Sequence, residues 1–73
     1  MVEIVRACVD GVVSFAAPRA LTGELEVFSR GDTLAVIGTE TVRAPSAGFV
    51  ARRLVADGAR VDADEPLLVL RSC

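Results

Sequence analysis

Few side chains in this 73-residue chain can do chemistry. Cys8 and Cys73 are its two thiols, ten Asp and Glu supply carboxylates, and all eight basic residues are Arg; there is no His and no Lys. A thiolate is a competent nucleophile when a neighbouring cation or base lowers its pKa. Cys73 is the candidate carrier thiol, able in principle to hold an acyl group or sulfur, with Arg71 as its one nearby cation. Cys8 in "RACVD" is expected to be a small, half-buried hydrophobe. The two cysteines are too few for a disulfide framework and, with no His, form no zinc-ligand spacing. Carboxylates gather in "GTE" (38–40) and "DADE" (62–65). Neither reads as a general acid–base pair, and "DADE" lacks the alternating ligand loop of an EF-hand. No catalytic set, metal site or cofactor-binding loop is expected.

The elements that must position these residues form one domain, 1–73, since the chain is too short for two. A chain this small buries only about 60% of its unfolded surface, so stability leans on tight packing or a partner. The composition is 52% hydrophobic, which places it among globular chains, and its only aromatics are three Phe, so the core is aliphatic. A net charge of −2 without a basic stripe argues against nucleic-acid binding. No apolar run approaches the roughly 20 residues that cross a bilayer. "MVEIVRACVDG" lacks the basic start and apolar centre of a signal peptide, so a cytoplasmic protein without membrane attachment is expected.

The chain repeats itself. "VRACVDGVV" (5–13) matches "VRAPSAGFV" (42–50): Val5, Arg6, Ala7, Gly11 and Val13 recur as Val42, Arg43, Ala44, Gly48 and Val50. "FSRGDTLAVI" (28–37) resembles "VDADEPLLVL" (61–70). The half-repeats are 1–38 and 39–73, and the extra residues of the first fall in "AAPRALTG", where Pro18 and Gly23 predict a loop. The runs "VEIVRA", "GVVSF", "TLAVIG", "ETVRA", "GFVARRLV" and "PLLVL" read as short strands bounded by Gly, Pro or Asp. A helix over "SAGFVARRLVADG" is the weaker alternative, because Gly48 disfavours it and its repeat partner "VDGVVSF" is β-branched. Gly11, Gly31, Gly48 and Gly58 are expected at turns with positive φ.

Residues 44–70, "APSAGFVARRLVADGARVDADEPLLVL", resemble the second half of a biotinyl/lipoyl carrier domain, of the biotin carboxyl carrier type. Ala44, Pro45, Gly48, Val50, Val55, Gly58, Val61, Pro66, Leu67 and Leu70 fall on the family pattern AP-x-x-G-x-V-x-x-x-x-V-x-x-G-x-x-V-x-x-G-x-P-L-x-x-L. Residues 5–37 resemble the first half more loosely. The resemblance implies an all-β barrel-sandwich hybrid: a flattened barrel of two four-stranded antiparallel sheets with pseudo-twofold symmetry. It implies a central hairpin between the halves and chain ends at the opposite pole. Two positions depart from the pattern. Asp64 replaces a turn glycine, and Arg53 replaces an apolar strand residue, implying an altered sheet face or a guanidinium laid over the surface.

The hairpin departs most. The family carries its prosthetic group on a lysine at the hairpin tip, but here that place reads Gly38-Thr39-Glu40, and the connector "GTETVR" is shortened. Arg cannot take over, because its guanidinium stays protonated. Gly38 with Thr39 suits a two-residue II′ turn. Glu40 is a candidate contact to a basic partner, weighed against a plain solvated carboxylate. Phe15, Arg19 and Leu21, with Ala16 and Ala17, are candidates for an apolar docking patch, weighed against a loop folded over the barrel edge. Arg52 and Arg53 read as solvated charges beside Asp57.

Three functions follow as expectations. The first is a non-enzymatic biotinyl/lipoyl-like module, without cofactor, acting as a protein-interaction or accessory subunit of a carboxylase-like, acyl-transfer or biosynthetic system. The second is a covalent carrier using Cys73. The third is a structural homo-oligomer, in which the shortened hairpin exposes sheet edges for subunit pairing.

Overall fold

Strands as short as these cannot bury an apolar face alone, and the chain resolves this by stacking two antiparallel sheets. A computed structural model describes residues 1–17, 20–22 and 25–72. Its strands are β1 (Val2–Arg6), β2 (Gly11–Phe15), β3 (Ala20–Thr22), β4 (Leu25–Phe28), β5 (Thr33–Ile37), β6 (Glu40–Arg43), β7 (Gly48–Arg53), β8 (Arg60–Val61) and β9 (Pro66–Ser72). The sheets run β1-β9-β7-β4-β3 and β6-β5-β2-β8. The two four-stranded sheets of the barrel are therefore present, and β3 extends the first by hairpinning onto β4. That strand corrects the loop expected over 16–23: the extra residues of the first half let the chain double back and pair with itself. The "GFVARR" segment is strand β7, not helix, in line with its β-branched repeat partner.

The repeat is a dyad in three dimensions. The shifts of 37 and 33 send β1, β9, β7 and β4 onto β6, β5, β2 and β8, so one sheet order maps onto the other. Register follows. Val5↔Leu68 becomes Val42↔Ala35, and Val13↔Ile37 becomes Val50↔Leu70. Even an irregularity is copied: Val5/Arg6 pair around a skipped Leu67, and Val42/Arg43 around a skipped Leu34. Both skipped leucines are buried, at 0% and 1% exposure.

Core residues obey the same symmetry. Val5, Ala7, Phe28, Leu34, Ala35 and Ile37 are matched by Val42, Ala44, Val61, Leu67, Leu68 and Leu70, all buried. Val13 is buried as well, and its mate Val50 packs against the cluster. Each of the buried Val, Leu, Ile and Phe side chains contributes roughly 1.5–3 kcal/mol by leaving water, and each alanine less.

Duplicated hydrogen bonds explain why "VRA" recurs. Ala7 N–H donates to the Glu65 carbonyl and the Ala7 carbonyl accepts from Asp64 N–H; Ala44 makes the equivalent pair with Asp32 and Gly31. The Arg6 guanidinium donates to the Asp64 carbonyl at 3.0 Å, and Arg43 donates to the Gly31 carbonyl at 3.1 Å. Asp64 and Gly31 are dyad mates, with φ of +68° and +84°. Asp64 thus adopts the left-handed conformation of the glycine it replaces. Positive φ also occurs at Gly11, Gly38 and Gly58 but not at Gly48, which corrects that expectation. Gly48 is needed for space: a Cβ there would collide with the Arg71 carbonyl oxygen and lie 2.9 Å from Ser72 Cα.

Candidate functional site

The hairpin between the halves is built by two strands that meet at their ends. Ile37 pairs with Glu40, which leaves Gly38 and Thr39 as a two-residue loop. Gly38 has φ +61° while Thr39 has no positive φ, the pattern of a II′ turn. Gly38, Thr39 and Glu40 are all exposed. The dyad sends Gly38 and Thr39 onto Arg71 and Val2, a paired couple at the other pole. There the Ser72 N–H and hydroxyl both donate to the Met1 carbonyl, at 2.9 and 3.0 Å. The tip thus presents a hydroxyl and a carboxylate to solvent. Neither group forms an amide with a carboxylic acid cofactor, a bond that requires an amine.

A second cluster lies where the sheets part. β7 carries a bulge between Val50 and Arg52, so Arg53 pairs with Leu68. Phe15 pairs with Ala35, the dyad mate of Leu68. One inserted residue has therefore put Arg53 in the slot that corresponds to Phe15, and the two side chains meet across the dyad. The Arg53 guanidinium lies 4.7 Å from the Phe15 ring centroid and pairs with Glu26 of β4 at 2.6 Å. Asp57 does not serve these arginines as expected: its Oδ1 accepts the Phe15 N–H at 2.8 Å. Phe15 is half-buried and packs against the core. Arg53 joins the two sheets, the surface-laid guanidinium expected of it. The sequence signals for this were an Arg in an apolar slot and an aromatic one repeat away.

The other candidates fall as follows. Glu40 is exposed at the start of β6. Arg19 and Cys73 lie outside the described residues, as does the Leu21 side chain, whose backbone is in β3. Cys8 is a free thiol and exposed, not half-buried. Its neighbour Ala7 takes the inward position and bonds the 64–65 turn through both backbone groups, which turns residue 8 outward. Pro45, its repeat mate, is exposed too. In the "DADE" turn, Glu65 Oε1 accepts the Asp62 N–H at 3.1 Å, and Asp10 Oδ1 accepts the Ala63 N–H at 2.6 Å. These two carboxylates are turn-builders. No helix among the described residues is long and apolar enough to cross a membrane.

No family model and no curated protein matches the sequence. Among solved structures, the chain is similar to a single-chain, multi-domain long-chain acyl-CoA carboxylase, with 26% sequence identity and a TM-score of 0.78. The likeness covers 99% of this chain and 7% of that one, so this chain spans a small part of its neighbour's length. With the paired sheets and their dyad, it supports a biotinyl-domain-like, barrel-sandwich fold.

Proposed function

We propose that this chain is a non-enzymatic biotinyl/lipoyl-like module that acts by binding a protein partner in a carboxylase-like, acyl-transfer or biosynthetic system. One observation carries the reading: a biotinyl-domain-like fold is combined with a hairpin tip that is a two-residue Gly38–Thr39 turn with no amine. A swinging arm needs an attachment amine, and a chain without Lys has none on any side chain. What remains useful in such a scaffold is its surface. The similarity to a small part of a multi-domain carboxylase supports a role as one block within a larger assembly.

The intact mass of the chain, purified from its native host and again after incubation with biotin or lipoate ligase and ATP, tests this. The expected mass is that of the unmodified sequence in both samples. A biotinyl or lipoyl adduct on any residue overturns the proposal. A thiol-labile adduct mapped to Cys73 replaces it with the carrier-thiol function.

A further inference from the structure

Dyad-related positions share a backbone but not always a chemistry, and the outer faces of the two sheets differ. Leu68 and Leu70 point inward, so Val69 and Arg71 point outward. Register places Val2, Arg71, Phe49 and Val27 in one outward row and Ile4, Val69 and Arg52 in the next. Val2, Ile4, Val69, Phe49 and Val27 thus form an apolar face. Their dyad mates are Thr39, Thr41, Val36, Val12 and Arg60, a largely polar set.

The contrast is sharpest on the outermost strands. β1 ends its sheet and pairs only with β9 among the described strands, as β6 ends the other and pairs only with β5. β6 has Thr41 outward and Glu40 at its start, with Thr39 in the turn just before it, a defended edge. β1 presents Val2 at 58% and Ile4 at 52% exposure, while its one acid, Glu3, accepts a hydrogen bond from the Ser46 hydroxyl.

We propose that β1 pairs edge to edge, antiparallel, with β1 of a second copy of this chain, about a twofold axis at Ile4. A twofold normal to the sheet keeps inner faces inner, so only registers that preserve side-chain direction are allowed. Centred on Ile4, all five residues pair: Ile4 with its own copy, Glu3 with Val5, Val2 with Arg6. The register shifted one way sets Glu3 against Glu3 of the copy, and the other leaves Val2 without a partner. Charge agrees. The Val2 end of β1 lies beside Arg71, and the Arg6 end, with Arg6 itself counted, is net acidic through the adjoining Asp62, Asp64 and Glu65 and the anchored Asp10. Antiparallel pairing sets the acidic end of one copy along the basic end of the other. The third function expected from sequence, a homo-oligomer, is thereby assigned to β1 and not to the shortened hairpin. The inference stands apart from the carrier-scaffold reading, since the mass measurement above does not bear on it.

The test is sedimentation of the 73-residue chain from roughly 10 µM to 1 mM, the range for a small interface. A reversible monomer–dimer equilibrium is expected. Val2→Thr with Ile4→Thr, which copies the dyad mates Thr39 and Thr41, should weaken association about tenfold or more while leaving unchanged the thermal midpoint read at concentrations where the monomer predominates. Glu40→Ala on the opposite edge should leave association unchanged. A monomer at every concentration overturns the proposal, as does a dimer indifferent to the double substitution or an open-ended series of larger species. Should the double variant unfold, hydrogen exchange on the parent chain decides: β1 amides gain protection with concentration if the edge pairs, and no gain rejects it.

Discussion

At the scale of single residues, Gly48 and Gly38 are glycines for different reasons. Gly48 has no positive φ, but the backbone of β9 passes so close that a methyl group would overlap the Arg71 carbonyl. Backbone cannot move aside as a side chain can. Gly38 has φ +61° and open space around it, so only conformational strain opposes a Cβ there. Gly48→Ala should therefore destabilise by about 2 kcal/mol or more, in the range of overpacking, and Gly38→Ala by about 1 kcal/mol. Urea midpoints of the two variants check this, and the reverse order would reject the steric account of Gly48. The sequence marked Gly48 through its repeat mate Gly11. The reason for it stayed hidden because Arg71 and Ser72 come opposite it only when β7 and β9 pair.

At the scale of elements, the bulge in β7 is where the dyad is broken and where an unusual contact appears. It slides Arg53 into the slot of an apolar residue, and the guanidinium then spans Phe15 of one sheet and Glu26 of the other. Arg53 and Glu26 keep 39% and 26% side-chain exposure, so solvent screens the ion pair. Arg53→Ala should cost about 1 kcal/mol, shared between the stacking and the pair. In a double-mutant cycle with Phe15→Leu, a coupling of about 0.5 kcal/mol is expected. Additivity of the two substitutions would mean that the ring contact adds nothing. Alternation along a strand separates Arg52 from Arg53 and is legible in sequence. The inserted residue that decides which of them faces Phe15 is not, since a bulge is fixed by both partner strands.

At the scale of the whole molecule, the halves interleave. The first sheet takes β1, β3 and β4 from residues 1–38 and β7 and β9 from 39–73, while the second takes β2 and β5 from the first half and β6 and β8 from the second. Neither half owns a complete sheet or core. Peptides 1–38 and 39–73 should each lack a cooperative thermal transition, and an equimolar mixture should recover the β-sheet circular dichroism of the intact chain. A half that folds alone would refute the interleaved core. Most pairing joins residues distant in sequence, and the Gly38–Thr39 hairpin, by holding β5 and β6 together, shortens the effective loops that the remaining contacts close.

The repeat, six of the nine described strands and the absence of lysine were determined by sequence, and the dyad followed from the repeat. Each depends on local alternation, on turn residues, or on a functional group that is absent wherever the chain folds. The strand at Ala20–Thr22, the outward turn of Cys8, the crowding at Gly48 and the Arg53–Phe15 contact were decided by tertiary structure alone. So was the apolar edge of β1, whose valine and isoleucine read in sequence like any half-buried strand. The physical reason is common to all of them. Which neighbour a side chain meets is set by register between strands far apart in the chain, and register becomes fixed only when both sheets close on one core.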